Sequence, residues 1–443
     1  MRHSEKQVRI LRVWVRDEPG HLGQVTSAIG ATGANIGDVV RVRSAGEYHV
    51  REIEVHVEGD AQLEHLLRDV SRLDGIRIES VFDPVLRVHR GGKIAMRSRV
   101  PVERQSDVRM IYTPGVATVS EEIHRHPERV YDYTSLGRTV AIVTNGTAVL
   151  GLGNIGVHAA LPVMEGKAVL LERLAGLSGV PILIPSREVE TVVETVIQIA
   201  PSFGAIQLED IAAPECFEIE SRLDRELPIP VLHDDQHGTA VVALAALLNV
   251  TRELGAVLED LEVGIVGLGA AGMGIGKLLR SYGIKVLIGT DLKRSALRRF
   301  ETIGGEPADL RRVMAEARVV IATTGVAGLI SPEWVREGQI LLALSNPEPE
   351  IQPGLALQAG AAFAVDGRSV NNALGFPGLF LGALRARVHR FSAAMLLGAA
   401  RTIARFAEPG ALVPALLHPE VHGAVADAVE KAARAESRGR SEP

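Results

Sequence analysis

Residues 7–15 alternate apolar and charged positions, the period of a half-buried strand. Arg16-Asp17-Glu18-Pro19-Gly20-His21-Leu22-Gly23 then predicts a turn into a helix whose apolar positions are Leu22, Val25 and Ile29. Gly33-Ala34-Asn35-Ile36 ends that helix. Residues 39–43 and 50–57 alternate again on either side of Ser44-Ala45-Gly46, as a hairpin would. Helical spacing returns over residues 61–73 and a strand over 76–82. The order βαββαβ predicts a ferredoxin-like module over residues 7–86. Residues 83–100, with Gly91-Gly92 and several arginines, read as a linker.

Beyond the linker the predicted strands are short and mostly apolar, as buried parallel strands are. Strands are predicted at residues 139–143 and 148–150, followed by Gly151-Leu152-Gly153-Asn154-Ile155-Gly156. That stretch matches GxGxxG, but Pro162 and Gly166 are expected to break the helix behind it, so it reads as a glycine loop and not a dinucleotide site. Two further runs end abruptly in acids. Ala205-Ile206-Gln207-Leu208 leads into Glu209-Asp210, and Ile229-Pro230-Val231-Leu232-His233 into Asp234-Asp235. Phe217, Ile219 and Leu223 recur at roughly helical spacing between them. A strand–helix–strand unit of this kind puts both acid pairs at one carboxyl-terminal sheet edge.

Four carboxylates gathered there repel one another unless a cation sits among them. Hard oxygen donors suit Mg²⁺ or Mn²⁺, with Glu209, Asp210 and Asp235 as the expected ligands. The plainer alternative is a set of solvated loop acids. His233 and His237, four residues apart, raise zinc as another. Residues 234–238 read instead as a turn into a helix over 239–248, which makes the histidines turn or supporting residues.

The second glycine motif has a fuller context. Leu261-Glu262-Val263-Gly264-Ile265-Val266 predicts a strand, and Gly267-Leu268-Gly269-Ala270-Ala271-Gly272 turns into a helix over 273–281. A strand over 285–290 then ends in Asp291, at about the twenty-residue distance of a dinucleotide fold. The glycines admit the pyrophosphate and the helix end complements its charge. Asp291 favours NAD, whereas Lys293 and Arg294 leave NADP open. Strands over 319–324 and 340–344 end in Thr323-Thr324-Gly325 and Ser345-Asn346-Pro347, expected at the nicotinamide crevice.

Length and composition narrow the class. The chain has 443 residues, enough for two or three domains, and 46% are hydrophobic, so sizeable cores are available. A net charge of -6 without a basic block argues against nucleic acid. The polar start predicts no signal peptide, and charged or glycine residues interrupt every apolar run before it reaches membrane-spanning length. Cys216 is the sole cysteine, which excludes an intrachain disulfide, fits a reducing cytoplasm and reads as packing. The charged tail over 432–443 is expected to fray.

Two resemblances join these motifs. Asp17-Glu18-Pro19-Gly20-His21-Leu22 with Gly33-Ala34-Asn35-Ile36 resembles an ACT domain, a regulatory module that pairs and binds amino acids. The resemblance implies a carboxylate-bearing effector at Gly20, His21, Leu22, Asn35 and Ile36, with pairing alone as the alternative role. Tyr112-Thr113-Pro114-Gly115-Val116, Asn145-Gly146-Thr147 with the glycine loop, Met164-Glu165-Gly166-Lys167, Leu208-Glu209-Asp210, residues 233–239, Ser345-Asn346-Pro347 and Asn371-Asn372 together resemble the short bacterial malic enzymes. That resemblance spans roughly residues 100–433.

It implies oxidative decarboxylation of malate to pyruvate with NAD and Mg²⁺ or Mn²⁺, in a homodimer. Lys167 is then the base, with a pKa lowered by burial and a nearby cation, and Tyr112 the acid that protonates C3. Gly267, Gly269, Ala270, Ala271, Gly272, Asp291, Thr323 and Asn346 line the cofactor, while Asn346 and Asn372 face the substrate. The larger malic enzymes carry an arginine near the glycine loop where this chain reads Thr147-Ala148-Val149, so another group must hold that carboxylate. The expected domains are 7–86, 92–238 for substrate and metal, and 239–443 for the nucleotide. A malolactic enzyme releasing lactate, or an inactive effector sensor on the same scaffold, are the competing readings.

Overall fold

A computed structural model describes residues 6–439 and divides into two compact units on either side of Lys93. In the first unit, β1 (Gln7–Arg16) lies between β3 (Tyr48–Val57) and β4 (Ile76–Phe82), and β2 (Asn35–Ala45) pairs with β3, all antiparallel. The order β2-β3-β1-β4 is the ferredoxin-like arrangement expected from the pattern. Leu11, Val13 and Val15 point to one face of β1. There they pack with Val25 and Ile29 of α1 (His21–Ala31) and Leu66 and Val70 of α2 (Asp60–Ser71). Gly20 precedes α1 at a φ of 96°, a left-handed turn open to glycine. The segment read as a linker holds one short helix, Pro84–His89, capped by the Asp83 carboxylate.

The second unit is built on two parallel sheets. The first has the order β6-β5-β7-β8, from β5 (Thr139–Thr144), β6 (Ser178–Leu183), β7 (Ala205–Leu208) and β8 (Val231–His233). The second takes β9 (Val263–Val266), β10 (Leu287–Thr290), β11 (Glu306–Pro307), β12 (Val319–Ala322), β13 (Ile340–Ala343) and β14 (Phe363–Asp366). Its order, β11-β10-β9-β12-β13-β14, is that of a doubly wound dinucleotide fold whose ligand crevice opens between β9 and β12. The four residues of β9, β12 and β13 are all buried, which explains why these strands read as apolar runs without alternation.

Several local expectations are corrected. Residues 148–150 form no strand, because Val149–Gly151 is a 3₁₀ turn. Pro162 does not break the following segment: α3 (Val157–Ala175) runs through it. The proline stands early in the helix, and Met164, Lys167, Ala168 and Leu171 hold the buried face beyond it. α4 (Glu215–Glu226) follows β7 as expected. α5 (Asp234–Glu253) begins at the acid pair itself and not after Gly238, so the supposed turn is already helix. It is buried on nearly every side and runs across residue 238, packing against α6 (Ala270–Tyr282). The tail is helical over Val421–Gly439, and residues 440–443 lie outside the described residues.

Candidate active site

The acid pairs emerge as the βαβ argument requires. β7 and β8 are parallel neighbours, and β7 also adjoins β5, so Glu209 leaves the sheet where the strand order reverses. Asp210 adopts a φ of 55°, a left-handed conformation that aspartate tolerates, and its N–H donates to Asp235 Oδ2 at 3.0 Å. Glu209, Asp210 and Asp235 each offer an oxygen, and the three lie within 4.8 Å of one another. Asp210 Oδ2 is buried without a hydrogen-bond partner, as an oxygen reserved for a cation would be. The donor set therefore fits a hard divalent cation. Neither His233 nor His237 belongs to it, which disposes of the zinc alternative on geometry.

Lys167 comes from α3 and lies beside the cluster. Its Nζ is 3.0 Å from Glu209 and 2.5 Å from Asp234, and it stands over the Phe376 ring at 4.7 Å. Burial pulls its ammonium down, but Asp234, Glu209 and Asp235 outweigh that and hold its pKa above the ordinary lysine range. The expected lowering is thus reversed in the metal-free chain, because the carboxylates that draw the lysine inward also favour its charge. Burial raises the acids: Asp210 to about 8, with Asp235 and Glu209 adding repulsion, and Asp235 to about 6.

Asp234, which carried no assigned role in the sequence reading, is wholly buried and is the closest partner of Lys167. Its doubled acid was the available signal, since an aspartate adjoining a ligand on a helix faces a different direction from that ligand. Gln207 was likewise missed: its Nε2 donates to Glu209 Oε2 at 2.9 Å and orients that carboxylate. Thr147 Oγ1 accepts from the Ala212 N–H and donates to Asn145 Oδ1, bracing the acid-bearing loop against the one after β5.

The dinucleotide turn follows β9. Gly267 has a φ of 94°, and a Cβ on Gly272 would stand 1.9 Å from the Gly267 carbonyl, so both positions demand glycine. Ala270 and Ala271 open α6 behind Gly269. Asp291 Oδ2 accepts from the Leu268 N–H and Oδ1 from the Lys293 N–H, each at 2.8 Å. Thr323 donates to the Gly267 carbonyl at 3.1 Å, which sets it at the crevice between β9 and β12. Asn346 abuts the glycine loop, since a Cβ on Gly151 would meet its carbonyl at 2.6 Å. Asn372 lies against Gly238, one turn into α5.

Two expectations are not brought together. Tyr112 follows a short helix, Gln105–Ile111, and is 70% exposed; among the described residues nothing hydrogen-bonds to its hydroxyl. In the first unit, Gly20, His21 and Leu22 open α1 while Asn35 and Ile36 begin β2 beyond its far end. Eleven helical residues, about 16 Å, separate the two halves of the expected effector pocket within one chain. His21 is instead packed on Gly75, where a Cβ would meet its ring at 2.8 Å. Cys216 is fully buried and its thiol is pushed up by that burial, which leaves it a packing residue.

Known proteins match over the same elements. The malic enzyme N-terminal domain family matches residues 91–187 and 184–224, and the malic enzyme NAD binding domain family matches residues 364–435. The chain is 50% identical over 432 residues to NAD-dependent malic enzyme 1 of Bacillus subtilis, covering 97% of this chain and 98% of that one. It is 42% identical to the bifunctional malic/malolactic enzyme of the same organism, covering 80% of this chain and 93% of that one. Among solved structures, an NAD-dependent malic enzyme from Thermotoga maritima superposes with a TM-score of 0.73 at 40% identity, covering 78% of this chain and 98% of the other. The acid cluster, the buried lysine and the reversal points of two parallel sheets thus stand in a shared framework, and the chain belongs to the malic enzyme family.

Proposed function

We infer that the protein oxidatively decarboxylates malate to pyruvate and carbon dioxide with NAD as hydride acceptor. The observation that carries the reading is Lys167 buried between Asp234 and Glu209, beside three converging carboxylate ligands. Glu209, Asp210 and Asp235 would hold Mg²⁺ or Mn²⁺, which supplies Lewis acidity toward the oxygens of a 2-hydroxy acid. Gly267, Gly269, Ala270, Ala271 and Gly272 would cradle the pyrophosphate of NAD, with Asp291 at the adenosine ribose. Lys167 would take the C2 hydroxyl proton in its neutral form, which a cation held by Glu209 and Asp235 would favour by offsetting the negative charge around the ammonium. Asn346 and Asn372 supply donors to the substrate carboxylates or the nicotinamide amide, and Tyr112 protonates C3 after carbon dioxide leaves.

The exposure of Tyr112 supports a second part of this reading. Met110, Ile111 and Val116, close to it in sequence, are exposed too, an apolar arm that a second copy of the chain would cover in a homodimer. Residues 7–86 serve regulation as an ACT module, 92–238 the substrate and metal, and 239–443 the nucleotide. The effector is an amino acid or a related carboxylate bound where a second module completes the pocket that one chain leaves divided.

The test is an assay for reduced cofactor and pyruvate from malate, with NAD or NADP, in Mg²⁺ or in chelator. Pyruvate with reduced NAD, lost in chelator, is the expected result. Lactate without released reduced cofactor would instead establish malolactic chemistry, as in the bifunctional relative. No turnover of malate in any combination would overturn the assignment.

A further inference from the structure

The amino terminus of α5 is held from outside by a residue that neither binds metal nor touches substrate. His233 is the N-cap of this helix, yet its side chain makes no capping hydrogen bond. Helix starts leave N–H groups in need of acceptors and carry partial positive charge. Glu220 of α4 supplies the acceptor. Its Oε1 takes the His233 N–H at 2.7 Å and lies 3.0 Å from His237 Nε2, while Oε2 takes Gln236 Nε2 at 2.8 Å. One carboxylate thus reaches positions 233, 236 and 237, and Asp234 and Asp235 lie between them.

α4 is itself anchored by Cys216, Ile219 and Leu223, all wholly buried, so the position of Glu220 is set by core packing. Its side chain is 12% exposed. Burial raises its pKa, but His237 and His233 outweigh that and bring it down to about 2, as a carboxylate with dedicated donors requires.

We propose that Glu220 is a positioning residue that fixes the first turn of α5 and so aims Asp235 at the metal and Asp234 at Lys167. The proposal rests on the metal reading of the acid cluster. Partners one step behind a ligand commonly govern metal affinity by about 10–100-fold. Glu220 contacts the residues flanking Asp235 and not a ligand itself, so Glu220→Ala is expected to weaken Mn²⁺ binding to the full-length protein by about 10-fold, the lower end of that range. NAD affinity measured without metal should fall by much less than Mn²⁺ affinity, because Glu220 contacts α5 directly and the dinucleotide turn only through it. Glu220→Gln preserves volume and the acceptor for the His233 N–H but loses the charge facing His237. It should weaken Mn²⁺ less than alanine does, and it provides the measurement if the alanine protein does not fold.

Mn²⁺ titrations followed by the metal's paramagnetic signal, paired with NAD titrations, test this. Wild-type Mn²⁺ affinity in the alanine protein, or in the glutamine protein where alanine does not fold, overturns the proposal. So does an equal loss of NAD and Mn²⁺ affinity, which marks a general structural role. Failure of the metal reading itself is separately visible, as Mn²⁺ binding that Asp235→Asn leaves untouched.

Discussion

A Cβ placed on Gly274 would stand 2.2 Å from the carbonyl oxygen of Gln236. Gly274 lies on α6, which opens with the dinucleotide turn, and Gln236 lies in the first turn of α5, next to Asp235. The two ligand-bearing helix starts therefore touch backbone to backbone, with no side chain between them to absorb a change. Gly274→Ala must push the helices apart. A destabilisation of about 1–3 kcal/mol is expected, the usual range for overpacking. The KM values for NAD and for metal should rise together. Calorimetry with steady-state kinetics checks this, and a rise in only one KM would show that the helix starts move independently.

Lys167, Asp234 and Glu209 form a buried set with one cation and two acids. Removing the cation strands both carboxylates, so Lys167→Ala should cost about 3–5 kcal/mol in addition to abolishing malate oxidation. Asp234→Asn preserves shape while releasing the lysine from its closest charge. Its kcat should fall about 10²-fold or more, the scale of a misplaced proton-transfer group, with little change in NAD KM. Single-turnover measurement of hydride transfer is the check, and a normal rate in Asp234→Asn would remove that residue from the proton path.

Much of this site was legible in the sequence because its carriers are periodic or local. Apolar runs ending in acids fixed the sheet edge, and Gly267 to Asp291 fixed the dinucleotide strand–turn–helix. Local signals misled where burial overrode them. Pro162 reads as a breaker, yet α3 continues through it because Met164 and Leu171 commit that helix to the core. The helical start at Asp234 was hidden because its acceptor, Glu220, is remote in sequence and no residue of the turn caps it. The charge state of Lys167 was illegible for the same reason: it depends on carboxylates from β7 and α5, not on its own neighbours.

Asp291 engages the Leu268 and Lys293 N–H groups, which orient its carboxylate at the end of β10. Asp291→Ala should raise the KM for NAD far more than that for malate, since the lost contact is remote from the reacting carbon. It should also relax the glycine turn by freeing the Leu268 N–H. Kinetics at varied NAD and at varied malate separate the two, and an unchanged NAD KM would place the ribose contact elsewhere.

The acid cluster should make stability fall with rising pH without metal and stay nearly level with it. In the metal-free chain burial, reinforced by Asp235 and Glu209, raises Asp210 from 3.8 to about 8, and burial raises Asp235 to about 6. A raised folded pKa means that the folded state holds protons the unfolded chain has released. The associated stability is fully present below 3.8 and is lost as pH rises through about 6 and then about 8. Metal binding needs these groups ionised, so it must expel their protons and strengthen as pH rises through the same window. Unfolding by urea, in chelator and in saturating Mg²⁺, should therefore diverge between about pH 6 and about pH 8: stability falls in chelator, and the Mg²⁺ increment grows. Asp210→Asn should flatten the chelator curve. A metal-free stability that is level across this window in the unsubstituted protein would mean that the acids are already ionised without metal, and that another cation among them balances their charge.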